Sequence, residues 1–561
     1  MSHKRLLQQY SRLHKHYAGQ DAAASLQQLA DLLCCTRRHM RNLLAQMQEL
    51  GWLDWQASAG RGKRSALRFL READELQRLQ AAQLLEQGRV EQAVALLGDD
   101  PQQLAPVLLS RLGRRWSADR QVLGVPYYRP LPTLHPGAPL RRSERHLVGQ
   151  IFNGLTRLNE EKGEIEGDLA HHWEQHSERE WHFHLRPRVR WHDGRELSLD
   201  DIAATVDRLR AQPLFAHLRG TRRLSPLSIA LELDEADPWL PWLLADPAAL
   251  ILPADHASRP DFDSRPVGTG PYRVAANDAR RLSLAAFDDY FGYRALLDQV
   301  DIWMMPQLGD QLSLKAGGAC GLTVEINPLP VEEQTEMALE TGVYYLLCDG
   351  RADGMRNDAV RQWLAQTLTP LAIMQRTPPE TRQYWVAAAG LLPRWHHVQP
   401  QPVPSEPPIQ QLRLAYYEQH PEYRQIADAI GQCLAERGIA LQCVELSYRD
   451  WELGRANADL WLGTVNFNSG VNYAVPAWLL GTPLLRRCLE TALPLDDWQR
   501  GWRGGAQTAA GLAAQTARTH WMLPLFHNWL RLKGPGQIQD FRLNSLGWFD
   551  FKSAWLRPED G

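Results

Sequence analysis

The chain has 561 residues, 62 Lys and Arg against 65 Asp and Glu, and a formal charge of −3, so it is neither a basic nucleic-acid coat nor an acidic tail protein. Its length exceeds one hydrophobic core, and two to four domains are expected; with 44% hydrophobic residues and 21 Trp it reads as a well-packed globular body. No apolar run approaches the roughly 18 residues of a membrane span, and seven Cys, an odd number without C-x-x-C spacing, argue against a disulfide framework and a zinc ribbon.

Met1-Ser2-His3-Lys4-Arg5-Leu6 is not followed by an apolar stretch of signal-peptide length, and a cytoplasmic location is expected. His3 to Tyr17 reads as a helix supplying Leu6, Leu7, Tyr10 and Leu13 to a small core. Ser25-Leu26-Gln27-Gln28 has the spacing of a capping box, and Leu26, Leu29, Ala30 and Leu33 then share one face. Thr36 is a good N-cap for a second helix, which turns Met40, Leu43, Leu44, Met47 and Leu50 inward until Gly51 ends it. Only Cys34 and Cys35 separate the two helices, the tight connection of a helix-turn-helix, so the second helix is the candidate for the major groove. Leu53 to Ala57 and Ser65 to Leu70 look like paired strands joined by Gly60-Arg61-Gly62-Lys63-Arg64, whose glycines permit the hairpin tip of a wing. Candidate DNA contacts are therefore Thr36, Arg37, Arg38, His39, Arg41 and Asn42 on the helix, Arg61, Lys63 and Arg64 at the tip, and Arg68 in the returning strand.

A helix with a few arginines is, alone, more often a solvated face. Here turn, recognition helix and glycine-arginine wing arrive in order within 46 residues, and residues 1–72 carry 12 Lys and Arg against 5 Asp and Glu. That balance of +7 leaves −10 on the other 489 residues, so positive charge is concentrated where phosphates of double-stranded DNA would be met, and binding should fall steeply with salt. Residues 73–115 have helical periodicity, with Leu76, Leu79, Leu84 and Leu85, then Val90, Val94, Leu96 and Leu97, then Leu104 to Leu112; they read as a helical connector that transmits motion, makes a dimer, or is a passive spacer. From residue 116 short strands alternate with helices: a strand at Val122 to Tyr128, a helix from Arg145 to Gly154, an alternating strand at Trp181 to Arg186, and an Asp193-Gly194 turn before a helix starting at Leu199.

Within this stretch Ile151-Phe152-Asn153-Gly154-Leu155, Asp168-Leu169-Ala170 with Trp173, Phe183-His184-Leu185-Arg186, Trp191-His192-Asp193-Gly194 with Asp200-Asp201, Pro266-Val267-Gly268-Thr269-Gly270-Pro271-Tyr272, Phe287 to Phe291 and Asn357 to Trp363 resemble the successive signatures of the family 5 extracellular solute-binding proteins. Together with Cys35 to Arg41, Gly51-Trp52-Leu53, Gly60 to Ser65, Tyr127-Tyr128-Arg129-Pro130-Leu131, Leu391 to His397 and Leu546 to Trp555, the whole chain resembles the SgrR and YbaE type of transcriptional regulator. The resemblance implies an α/β protein: an N-terminal winged helix-turn-helix plus a two-lobed, periplasmic-binding-protein-like (class C) domain. On that pattern the domains are 1–72 for DNA, 73–115 as connector, and 116–561 for solute, with lobe I at about 116–304 and 500–561 and lobe II at about 305–499. It further implies an activator of a small regulatory RNA gene in sugar-phosphate stress that represses its own gene and meets RNA polymerase, with a small-molecule effector closing the lobes. The alternatives are a YbaE-like regulator sensing a peptide or metal complex, and a solute-binding protein with a transport role.

Peptide binders of the family place an acid near the stretch Asp459 to Asn468, where this chain has neutral Asn466 and Asn468. A sugar or sugar phosphate needs amides, stacking aromatics and one or two cations, for which Asn466, Asn468, Trp395, Tyr127, Tyr128, Arg129 and Arg394 have suitable chemistry. Histidines at 171, 172, 182, 184, 192, 396 and 397 invite a metal, but without H-E-x-x-H or ligand-spaced Cys no metal and no cofactor are expected. No nucleophile elbow, phosphate loop or dinucleotide fingerprint occurs, and Asp200-Asp201 and Asp288-Asp289 fit capping rather than chemistry, so an enzyme is not expected. Leu412 to Tyr417, Glu422 to Glu436 and Ile439 to Leu446 read as a β-α-β unit of the second lobe, while Leu523 to His527 and the closing aromatic segment are expected to return to the first.

Overall fold

The computed structural model describes residues 3–58, 64–86, 92–93, 96, 114–117, 120–304, 333–398, 409–420, 422–535, 538–540 and 543–557. It contains two compact units, Met1–Arg111 and Leu112–Gly561. Among the described residues no helix is long and apolar enough to cross a membrane.

The first unit runs α1 (His3–His16), β1 (Ala22–Ala24), α2 (Leu26–Leu32), α3 (Arg37–Glu49), β2 (Leu53–Gln56), β3 (Ser65–Phe69) and α4 (Ala73–Glu86). The expected capping box is formed: Gln28 N donates to Ser25 Oγ at 3.2 Å and Ser25 N to Gln28 Oε1 at 2.9 Å. Thr36 Oγ1 caps α3 by accepting from His39 N at 3.2 Å. Cys34, at φ +51°, takes the left-handed conformation that lets the chain reverse between α2 and α3. Leu6, Leu7, Tyr10, Leu13, Leu29, Ala30, Leu33, Met40, Leu43, Leu44 and Met47 close one core, as the helical spacing requires. Leu50 departs from the expectation and is exposed, because α3 ends at Glu49 and the turn at Gly51, φ +69°, carries it off the buried face. The short strand β1, which the alanine run did not announce, pairs with β3 and makes it the central strand of the order β1-β3-β2. The boundary expected at residue 72 also shifts: Ala73 and Leu76 of α4 are buried in the head core and Gln77 Nε2 donates to Ser11 Oγ at 3.4 Å, so the start of the presumed connector is part of the head. Leu104 to Leu112 of the connector lie outside the described residues.

The second unit contains three principal sheets. The first joins β4 (Arg114–Ser117), β5 (Arg120–Tyr127), β12 (Tyr272–Asn277), β13 (Arg281–Ala286) and β14 (Gln299–Met304) in the order β12-β13-β14-β5-β4, with β14 and β5 parallel. The second is the antiparallel order β10-β11-β9-β8 of β8 (Ala170–Ser177), β9 (Glu180–Leu185), β10 (Leu218–Ser225) and β11 (Ser228–Leu233). The third is a mixed seven-stranded sheet. Its main path is β15 (Glu333–Leu339), β21 (Met522–Pro535), β16 (Gly342–Cys348), β20 (Leu460–Asn466), β18 (Gln411–Tyr417) and β19 (Ala440–Leu446), and β17 (Trp385–Ala387) pairs with β21. The expected β-α-β unit is β18, the helix Tyr423–Ala435 and β19, with the two strands parallel.

The lobe boundaries differ from the sequence expectation. Leu523 to His527 lie in β21, paired with Tyr344 to Leu347 of β16, so they belong to the second lobe; the fully buried β16 needs a partner on that edge. The chain returns to the first lobe only with Ile538, Trp548, Phe549, Phe551, Ala554 and Leu556, which share a core with Leu123, Val125, Leu147, Ile151, Val300 and Ile302. The four-stranded sheet, expected in the first lobe, shares its hydrophobic core with the seven-stranded sheet. Trp239 stacks on Trp502 at 5.6 Å and Trp242 on Tyr473 at 6.0 Å along that seam.

The family signatures turn out to be the bolts of the first lobe. A Cβ at Gly268 would sit 1.9 Å from the Ile151 carbonyl oxygen, so only glycine fits where that loop crosses the helix Arg142–Ile151. Gly268 N donates to His192 Nδ1 at 3.2 Å, which leaves Nε2 to donate to the Gly270 carbonyl at 2.9 Å. Thr269 Oγ1 donates to Asn153 Oδ1 at 3.0 Å, and Asn153 Nδ2 donates to both oxygens of buried Asp168, whose carboxyl is pushed up to about 6 by burial. Asp201 serves as the N3 residue of the capping box closed by Ser198, a structural role as expected.

Candidate functional site

Two surfaces carry the candidate residues. On the first unit the buried face of α3 leaves Arg37, Arg38, Arg41 and Asn42 exposed on the opposite side, with His39 half-buried. Thr36 is exposed but its hydroxyl is engaged by the cap. β2 and β3 pair in the register Leu53↔Phe69 to Gln56↔Ala66, the stem of the wing. Arg64 is exposed at its described edge, while Arg61 and Lys63 lie outside the described residues. Arg68 Nε donates to Asp21 at 3.2 Å with both side chains more than half exposed, a pair worth little and easily exchanged for a phosphate. The capped helix thus offers three arginines and an amide along one face, the donor set that reads base edges and phosphates.

On the second unit the sequence-predicted residues divide. Tyr127, at the end of β5, is buried and its hydroxyl donates to Ser143 Oγ at 2.7 Å; burial pushes its phenol well up. Tyr128 is half-buried with its ring 4.9 Å from that of Tyr127. Arg129 is buried, forks onto both carboxylate oxygens of Glu144, and lies 5.4 and 5.9 Å from the two tyrosine rings. These three are held as structure in the first-lobe core. Asn466 ends β20 beside buried Glu340. The others are placed elsewhere: Asn468 Oδ1 accepts from Gly470 N and shapes the turn before the helix Val471–Gly481. Trp395 packs half-buried on the core of the seven-stranded sheet, and Arg394 is exposed at φ +75°.

The residues that join the two lobes most directly were not anticipated. The helix Arg142–Ile151 opens with Arg141, Arg142 and Arg145, and its N-terminal amides add partial positive charge there. Arg141 lies 5.1 Å from the Tyr417 ring and 5.0 Å from the Tyr448 ring, both on the second lobe, and donates to Gln419 Oε1 at 3.4 Å. Among the described residues no carboxylate pairs with Arg141. Arg142 pairs with buried Glu340, whose carboxyl burial pushes up and Arg142 pulls back. His420, stacked on Tyr423 at 3.7 Å, is held neutral well below its ordinary range by burial, then by Arg142, Arg141 and Arg129. Tyr448 OH donates to the Leu140 carbonyl at 3.3 Å, a further link between the lobes. Leu140-Arg141-Arg142-Ser143-Glu144-Arg145 was the available signal, a basic run at a helix start; its partners lie 198 to 308 residues away and gave none.

Comparison with known proteins follows this division. Residues 5–119 match the family described as "Sugar transport-related sRNA regulator N-term" and residues 164–368 that of "Bacterial extracellular solute-binding proteins, family 5 Middle". The chain is 43% identical to an "HTH-type transcriptional regulator SgrR" of Yersinia pestis (strain Pestoides F) and 42% identical to one of Escherichia coli O1:K1 / APEC, with all of each chain covered. Among solved structures, the periplasmic binding protein DppA of Helicobacter pylori in complex with the peptide STSA matches 78% of this chain and 98% of its own, at TM-score 0.64 and 16% identity, a likeness of fold alone.

Proposed function

This chain belongs to the SgrR family of HTH-type transcriptional regulators, and from that premise we propose that it is a cytoplasmic regulator whose cleft takes an anionic sugar, of the sugar-phosphate class, and whose α3 and wing bind duplex DNA. The carrying observation is Arg141: a guanidinium held between two tyrosine rings, without a carboxylate partner among the described residues, at a helix N-terminus that also bears Arg142 and Arg145. A phosphate there would find a planar fork of donors, held in place by the two rings, and backbone amides of the helix start. The stretch Asp459 to Asn468, near which peptide binders of the family place an acid, carries neutral Asn466 and Asn468, which weighs against a peptide ligand.

In this reading the ligand favours the closed lobes by its differential affinity, and closure raises the fraction of chains that activate transcription with RNA polymerase. The regulated genes are that of a small RNA, activated in sugar-phosphate stress, and the regulator's own, repressed. The test is thermal shift and calorimetry of the full chain with a hexose phosphate, the free hexose and inorganic phosphate, joined to DNA-binding anisotropy with and without each. A stabilising shift for the hexose phosphate, lost in Arg141→Met, supports the reading; equal responses to all three, or to none, refute it.

A further inference from the structure

We propose that the outer face of the β8–β9 hairpin is a binding site for a divalent transition-metal ion, with His176, Glu180 and His182 as its protein ligands. This hairpin carries five histidines between residues 171 and 184, and the proposed cleft function uses none of them. The pleat sorts them: Trp181, Phe183 and Leu185 point into the core, while Glu180, His182 and His184 stand on the other face. Across the ladder Glu174 opposes His182, and a register shift between Gln175 and Ser177 places both His176 and Ser177 against Glu180. Such a bulge re-aims a side chain, here the imidazole of His176, which stacks on His182 with ring centroids 4.5 Å apart.

One ligand atom each of His176, Glu180 and His182 lies within 4.8 Å of the other two. His182 Nε2 sits 2.7 Å from Glu180 Oε1, and its Nδ1 sits 3.9 Å from Glu174 Oε1. Glu174, beyond hydrogen-bond reach at that distance, would have to draw closer to orient the ring through its second nitrogen once the first takes a metal. Two imidazoles and one carboxylate suit zinc, nickel, cobalt or copper(II) better than magnesium or calcium. Bonding distance is about 2.0 to 2.2 Å, and the approach falls to side-chain rotation and to β8, an exposed edge strand, since β9 is fixed by Trp181, Phe183 and Leu185. Arg222, which now shares Glu180, keeps Glu232 at 3.1 Å as an alternative partner. Exposure of His176 leaves further coordination positions for water, so the site is open rather than a sealed structural one.

The experiment is equilibrium dialysis with elemental analysis, and calorimetry, of the metal-stripped full chain against zinc chloride and separately nickel chloride. The expected result is one ion per chain, bound at least tenfold more weakly by His176→Ala and by His182→Ala, and unchanged in His171→Ala. His171 and His176 are exposed and His182 is part-buried, and an unchanged melting curve without metal verifies folding of each variant. Absence of stoichiometric binding by the native chain overturns the proposal. So does binding that survives in the His176→Ala/His182→Ala double variant, because the ion would then be held elsewhere.

Discussion

Removing the Arg142 guanidinium should loosen the two lobes from each other. Arg142 belongs to the first lobe and Glu340 to the second, and the side chain of Glu340 is 6% exposed against 22% for Arg142. Truncating one partner of a fully buried pair costs about 3 to 5 kcal/mol, because a charge is left unpaired in low dielectric. Partial exposure of Arg142 puts the cost for Arg142→Ala below that range, at about 2 to 3 kcal/mol, borne only while the lobes are together, since separation hydrates Glu340. At 1.4 kcal/mol per factor of ten, the ratio of closed to open chains falls roughly 30- to 150-fold. Arg142→Ala/Glu340→Gln should recover most of that loss, since no charge remains to be stranded. The assay is a distance distribution between labels on Cys443 of the second lobe and a cysteine introduced by Tyr293→Cys, an exposed position beside the first-lobe core, with Cys34, Cys35 and Cys320 replaced by serine. A longer mean distance in Arg142→Ala, reversed in the double variant, is expected. An unchanged distribution, with a coupling energy below about 0.5 kcal/mol in the double-mutant cycle, refutes the reasoning.

Arg38→Ala or Arg41→Ala should each cost about 1 to 3 kcal/mol in operator binding and relax specificity at one position if the side chain reads a base. Lys63→Ala should instead weaken binding to all sequences and lower the salt slope by about one, both read by anisotropy titration. His192 has a folded pKa pushed down from 6.5 to about 4, by burial first, so only the unfolded chain takes up that proton between those values. Its contribution is intact above pH 6.5 and falls by about 3 kcal/mol as pH drops to 4; the urea stability difference between the native chain and His192→Gln should narrow by that amount over this window. Trp548, fully buried and stacked on His146 at 5.2 Å, fixes the returning C-terminal segment to the first lobe, and Trp548→Ala should cost about 3 to 5 kcal/mol in urea unfolding.

Sequence by itself determined what is local. Ser25 and Gln28 close their capping box, Thr36 caps the recognition helix, and Met40, Leu43, Leu44 and Met47 are buried by a period that needs no knowledge of the partner. The β18-helix-β19 unit was legible for the same reason, because each strand and the helix between them announce themselves within 36 residues. What only the tertiary structure decided is pairing at a distance. The same aromatic chemistry suits core and ligand alike, so sequence could not tell that Tyr127 and Arg129 are spent on Ser143 and Glu144. Arg141 acquires its meaning only when Tyr417 and Tyr448 close over it, and Leu523 to His527 join the second lobe only because β16 presents an edge. Local hydrogen bonds and periodicity are written in neighbouring residues; a cleft is assembled by long-range packing, which chain order does not encode one residue at a time.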